Sequence, residues 1–181
     1  MKILKFIGFL VVLVVVIVLV AGAVMKKDFH FERKTTINAP KDRVWNNIVM
    51  FENHKKWSQW QQLDPKMKTS ISGMDGTVGA KMSWESEHKE VGKGSQTIKS
   101  IKDNERIDYD MDLGQGTKPT SYFKVTGDSV KTDVAWGMDA HIGFPFNAIA
   151  GIFMTDKAMN EMFDKGLSML KETSEKTNDT H

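Results

Sequence analysis

The chain has 181 residues, with 25 basic, 23 acidic and 12 methionine residues and no cysteine. Without cysteine there are no disulfides, no thiolate catalysis, no zinc–sulfur site and no lipid anchor on a thiol. Lys2, Lys5, Lys26 and Lys27 are the only charged residues before Asp28, so the remainder holds 21 basic (25 less 4) against 23 acidic residues with signs interspersed. That balance gives no basic face for nucleic acid.

Residues 6–25, FIGFLVVLVVVIVLVAGAVM, carry no charged or strongly polar side chain. As a helix rising about 1.5 Å per residue they span roughly 30 Å, the hydrocarbon thickness of a bilayer. One reading is a single-pass anchor. The other is a secretory signal, with Lys2 and Lys5 as its basic start and Ala21-Gly22-Ala23 as a cleavage site. The apolar run exceeds the usual ~7–15 residues of a signal core and has no polar approach to Ala21, which favours the anchor. Lysines flank both ends, so charge does not set the orientation. The expectation adopted is a single-pass membrane protein with its soluble domain outside the cytoplasm.

Phe29, Phe31, Arg33, Thr35 and Ile37 alternate with polar neighbours, the period of a first strand. Asn38-Ala39-Pro40 stops it, and Val44, Trp45, Ile48 and Phe51 then recur at helical spacing. A second short helix is predicted over Asn53–Trp60, closed by Asp64-Pro65. Strands follow: Ala80, Met82 and Trp84 on one face; Gly92 to Ile101, where the opposite parity of Ile98 and Ile101 predicts a bulge or a strand end; Ile107, Tyr109, Met111 and Leu113; Phe123 and Val125; and a longest strand from Val130 through Trp136 and Met138 to Ile142. Met159, Met162, Phe163, Gly166, Leu167 and Leu170 form an apolar stripe on a final helix from about Asp156 to Glu175. A polar tail is expected over 173–181. The order predicts an α+β domain at residues 28–172, a curved antiparallel sheet around one long C-terminal helix.

Ile37-Asn38-Ala39-Pro40 with Val44-Trp45, then Trp57-Ser58-Gln59-Trp60 and Asp64-Pro65, resembles the opening of the START-like (SRPBCC) superfamily, in its polyketide cyclase/dehydrase-type branch. Gly76-x-x-Gly79 leading to Trp84, Val134-Ala135-Trp136 and Asp164-Lys165-Gly166-Leu167 extend the resemblance over 29–172. It implies a helix-grip fold of seven strands enclosing an elongated apolar pocket, and a hydrophobic small molecule or lipid as partner. A minority of such domains catalyse reactions in the pocket and some bind proteins instead, so an enzyme of cyclase/dehydrase type and a protein-interaction module at the membrane stand as alternatives that fold alone does not decide.

Trp45, Trp60, Met82, Trp84, Tyr109, Met111, Trp136, Met138, Met159, Met162 and Phe163 are the candidate ligand-binding residues. Methionine and aromatic side chains suit an adaptable apolar pocket, and the same residues also serve as plain core. No catalytic residue, metal or cofactor is predicted. Asp108-x-Asp110-x-Asp112 lacks the glycine and glutamate of a calcium loop and lies on the wet face of a strand. His54 and His141 are read as surface residues, each a general base only if it pointed into a pocket. Gly143-Phe144-Pro145-Phe146, with Ile149, Ile152 and Phe153, is unusually apolar for a connection. It reads as a packed helix sealing the sheet, as a gate, or as a surface that touches lipid. Oligomeric state leaves no mark in the pattern.

Overall fold

The computed structural model describes residues 2–114 and 118–176. In chain order the elements are α1 (Lys2–Val24), β1 (Asp28–Ile37), α2 (Lys41–Val49), α3 (Phe51–Trp57), α4 (Gln59–Leu63), β2 (Lys68–Ser72), β3 (Lys81–Glu85), β4 (Lys93–Lys102), β5 (Arg106–Asp112), β6 (Thr120–Gly127), β7 (Thr132–His141), α5 (Phe146–Phe153) and α6 (Asp156–Glu175). The strands form one antiparallel sheet ordered β1-β7-β6-β5-β4-β3-β2. Strands β2 to β7 follow one another as a meander, and β1 closes onto β7. With α6 laid across it, this is the α+β helix-grip arrangement.

Directly paired residues of neighbouring strands share a face. The register therefore traces an inner row from Phe31 to Met138, Ser121, Tyr109 and Ile98. Between Ile98 and Ser100 the pairing with β5 slips by one residue, Lys99. That bulge returns Ile101 to the inner face, opposite Ile107, and accounts for the parity conflict in the sequence.

Helix α6 buries Met159, Phe163, Leu167 and Leu170, and packs chiefly on β1 and on α2, α3 and α4. A fully buried side chain of this size contributes about 1.5–3 kcal/mol through area removed from water. A Cβ at Gly166 would collide with the Trp136 ring, so the glycine is what lets the helix sit this low. Polar contacts tie its middle and its C-terminal part to β1: Arg33 grips Asp164 with two hydrogen bonds of 2.8 and 2.9 Å, and the Lys171 ammonium donates to the Thr36 carbonyl at 2.7 Å. The Arg33–Asp164 pair is nearly half exposed, so water screens it and it orients the helix more than it stabilises the fold.

Four features differ from the pattern-based expectation. Strand β2 was not foreseen, because Lys-Thr-Ser-Ile-Ser has a single apolar residue and an edge strand needs little burial. The helix expected over Asn53–Trp60 is two helices, separated where Ser58 takes extended angles (φ −67°, ψ 123°). The last strand starts at Thr132, leaving Val130 exposed ahead of it. Helix α6 ends at Glu175, as the apolar stripe predicted, so Thr173–Glu175 belong to it and not to the tail that polar composition began at 173; Ser174 is buried and its hydroxyl accepts from the Asn47 amide at 3.0 Å. The remaining tail, 177–181, with the Asn178-Asp179-Thr180 sequon, lies outside the described residues.

Candidate functional site

The inner face of the sheet divides into a filled part and a half-covered part. In the filled part, Phe123 and Trp136 stack with centroids 5.1 Å apart, Trp136 meets Phe163 edge-on at 4.5 Å, and Tyr109 and Trp57 stand edge-on to Phe123 at 6.4 and 6.0 Å. Such geometry adds to the burial of each ring. The polar tips of this layer are all engaged. Helix α2 leaves carbonyls free in its last turn, as every helix does. The Trp57 indole donates to Asn47 O at 2.8 Å, and the Tyr109 hydroxyl and a His54 ring nitrogen both reach Ile48 O, at 2.9 and 2.8 Å. The Trp136 indole donates to the Ser121 hydroxyl at 3.0 Å.

His54 is thus not a surface residue. It is buried, with Nε2–H donating to Ile48 O and Nδ1 left to accept from the Gln96 amide at 3.3 Å. Burial pushes its pKa down to about 4, so the ring is neutral at pH 7. Burial likewise pushes the Tyr109 hydroxyl far above the usual phenol range. Both side chains are caps of a helix end. The sequence offered no signal for this, because the carbonyls concerned are backbone groups brought close only by the fold.

The half-covered part is a row across four strands. Ile71 pairs with Met82, Met82 with Gln96, and Gln96 with Met111. Trp84, two residues from Met82 on the same face, lies over Gly94, where a Cβ would meet the ring and the Asp112 carbonyl. Met82, Trp84, Gln96 and Met111 are half-buried, and Ile71 is just exposed. Together they offer an apolar surface with one amide, and that amide is oriented by the neutral ring of His54.

The eleven candidate residues separate along this division. Trp45, Tyr109, Met138, Met159 and Phe163 are buried in the two core clusters. Trp136 is half-buried yet belongs to the aromatic layer. Met82, Trp84 and Met111 share the half-covered face. Trp60 on α4 and Met162 on α6 are half-buried on the helical side, where the Gln59 amide donates to Met162 O at 3.1 Å. Ile71 and Gln96 were missing from the candidate set: one lies on the unforeseen strand, the other is a polar residue at an inward position. Two open depressions, of about 370 and 530 Å³, lie instead on the β1–β7 side of the sheet, around Asp28, His30, Asp139 and His141 and around Glu32, Lys34, Lys124 and Asp133.

Other polar groups have structural occupations. Asp108 pairs with Arg106 through hydrogen bonds of 2.6–3.1 Å, and among the described residues no cluster of histidine, aspartate or glutamate is arranged to hold a metal ion. His141 is exposed, as expected, with Nδ1 2.6 Å from Asp28. The Tyr122 hydroxyl donates to Glu32 at 2.6 Å and, with Lys34 and Lys124 near, holds that carboxyl down at about 2.

The apolar stretch before α6 forms α5. Ala150 and Met154 pack against the cluster of Phe29, Phe31, Met138, Met159 and Phe163, which closes the end of the grip. Phe144, Phe146, Ile149, Ile152 and Phe153 stay exposed, so the packed-helix expectation holds for one side of α5 only. Helix α1 is long and apolar enough to cross a membrane and is almost wholly exposed.

Comparison with known proteins places this arrangement. Norcoclaurine synthase from Thalictrum flavum, in complex with dopamine and hydroxybenzaldehyde, superposes with a TM-score of 0.59 at 17% identity, over 83% of this chain and 91% of that one. A protein from Nitrosospira multiformis gives 0.58 at 19%, over 84% and 99%, and one from Chromobacterium violaceum gives 0.57 at 15%, over 83% and 99%. At these identities the likeness is one of fold. No curated protein matches the sequence. A family model described as polyketide cyclase / dehydrase and lipid transport matches residues 28–175, essentially the whole domain after α1, and the chain belongs to that family of START-like domains.

Proposed function

We propose that the protein is a membrane-anchored START-like domain, outside the cytoplasm, that takes a hydrophobic small molecule or lipid on the half-covered face of β2–β5. The observation that carries this is the row Ile71–Met82–Gln96–Met111, with Trp84 beside it. It is apolar surface that α6 does not bury, although α6 covers the same face elsewhere. Ile71, Met82, Trp84 and Met111 form the apolar wall, and Gln96 offers one amide to a polar group on the ligand. Methionine lets such a wall adapt to an irregular apolar shape. The binding of small aromatic molecules by norcoclaurine synthase on the same fold supports the reading. Helix α1 as anchor raises the local concentration of membrane-borne ligands. A catalytic role would need an acid or base at this face, and the nearest histidine, His54, has both ring nitrogens engaged.

The test is native mass spectrometry of the full chain in detergent after exposure to a total lipid extract, beside a Met82→Glu/Met111→Glu variant. A discrete bound mass on the wild type that the variant loses is the expected result. Equal lipid on both would assign it to the surface of α1 and defeat the groove.

A further inference from the structure

Helix α5 is fastened to the end of α1. Asn147 is fully buried, and its amide donates to the carbonyls of Gly22 and Met25 at 2.8 and 2.9 Å, with Lys26 O at 3.4 Å. These carbonyls belong to the last turn of α1 and the residues just past it, which no intrahelical donor satisfies. The two segments touch closely: a Cβ at Gly22 would lie 3.1 Å from both the Asn147 Oδ1 and the Phe144 ring. On the other side of α5, Phe146 is 67% exposed, Ile152 68% and Phe153 73%, with Phe144 and Ile149 also exposed. From Ile142 to Thr155 the chain has no charged residue.

Contiguous exposed apolar surface of this kind marks a contact with something apolar. Its position names the occupant. The patch is continuous with the C-terminal end of α1, where a bilayer holding that helix would end, and Lys26 and Lys27 mark the headgroup level. We infer that α5, with Phe144, is a second membrane-contacting element, lying in the plane of the lipid interface and seating the methionine-rich end of the grip, Met154, Met159 and Met162, against the bilayer. The inference rests on α1 being an anchor. A helix with an apolar face and a position fixed at the interface binds there by burial of that face among headgroups and upper acyl chains.

The test uses the absence of cysteine. Single cysteines are placed by Val16→Cys in α1, Ile152→Cys in α5 and Val130→Cys beside β7, each labelled with an environment-sensitive fluorophore. The full chain is reconstituted in phosphatidylcholine vesicles containing phosphatidylglycerol and nitroxide-labelled lipids, with the nitroxide either shallow or deep. Val130 lies past the far end of β7 from α1, and ten residues of strand at about 3.3 Å each set it roughly 30 Å away. The expected result is strong quenching at 16 by deep nitroxides, strong quenching at 152 by shallow ones, and several-fold weaker quenching at 130. Quenching at 16 with none at 152 would overturn the inference and leave the anchor standing. A blue shift at 152 that depends on protein concentration but not on lipid would assign the face to a second copy and overturn it too. No quenching at 16 would remove the anchor, and this inference with it. Phe153→Cys, at the other end of the exposed face, repeats the measurement should the first variant fold poorly.

Discussion

The aromatic layer and the methionine row are two parts of one inner sheet face, written in the same alternating pattern and treated oppositely by the fold. In the layer, Phe123, Trp136 and Tyr109 meet α3 and α6, their rings interlock, and their polar tips cap a helix. In the row, Met82, Gln96 and Met111 meet no long helix and remain half-buried. The alternation of residues says which face is apolar. What covers that face depends on where α6 lands, and α6 lands on β1.

Four substitutions or conditions would break or sharpen this contrast. Phe123→Ala, in the layer, should cost about 3–5 kcal/mol, because the rings around it cannot collapse into the space; urea unfolding measures it, and a loss under ~1 kcal/mol would mean the layer is not the core. Acid should act next. The folded protein holds His54 neutral down to about pH 4, whereas the unfolded chain takes up the proton near pH 6.5. This contribution to stability is complete above pH 6.5 and lost as pH falls towards 4, by up to about 3 kcal/mol. His54→Gln should flatten that part of the pH profile of the urea midpoint, and an unchanged slope would contradict the cap assignment. Met82→Ala should be the mildest, costing about 1–2 kcal/mol since the side chain is only half-buried at the margin of the core, while weakening the retention of a bound lipid mass. A large loss of stability there, with retention intact, would return the row to the core.

How much of this was legible beforehand follows from what a pattern of side chains encodes. The strand faces, the α6 stripe and even the bulge near Lys99 could be read, since each is a phase relation among neighbouring residues. Strand β2 could not, because an edge strand owes its place to backbone pairing with β3. His54 was assigned to the surface because a lone histidine in a polar stretch usually lies there, and its partner is a carbonyl. The division of the eleven candidate residues into layer and row needed the position of a helix relative to a sheet, a relation with no local signature. Asn147 was hidden for the same reason: its partners are the carbonyls of a helix more than a hundred residues earlier.

That asparagine has a mechanical consequence. Only Met25, Lys26 and Lys27 separate α1 from β1, a stretch that could reach about 10 Å if extended, and Asn147 locks even this stretch to α5. If α1 lies in a bilayer, the domain stands on a bracket rather than a leash. It cannot swing to sample a distant surface, and it offers one fixed side to its own leaflet. Any exchange of cargo with a second membrane would then require that membrane, or a carrier, to approach the domain.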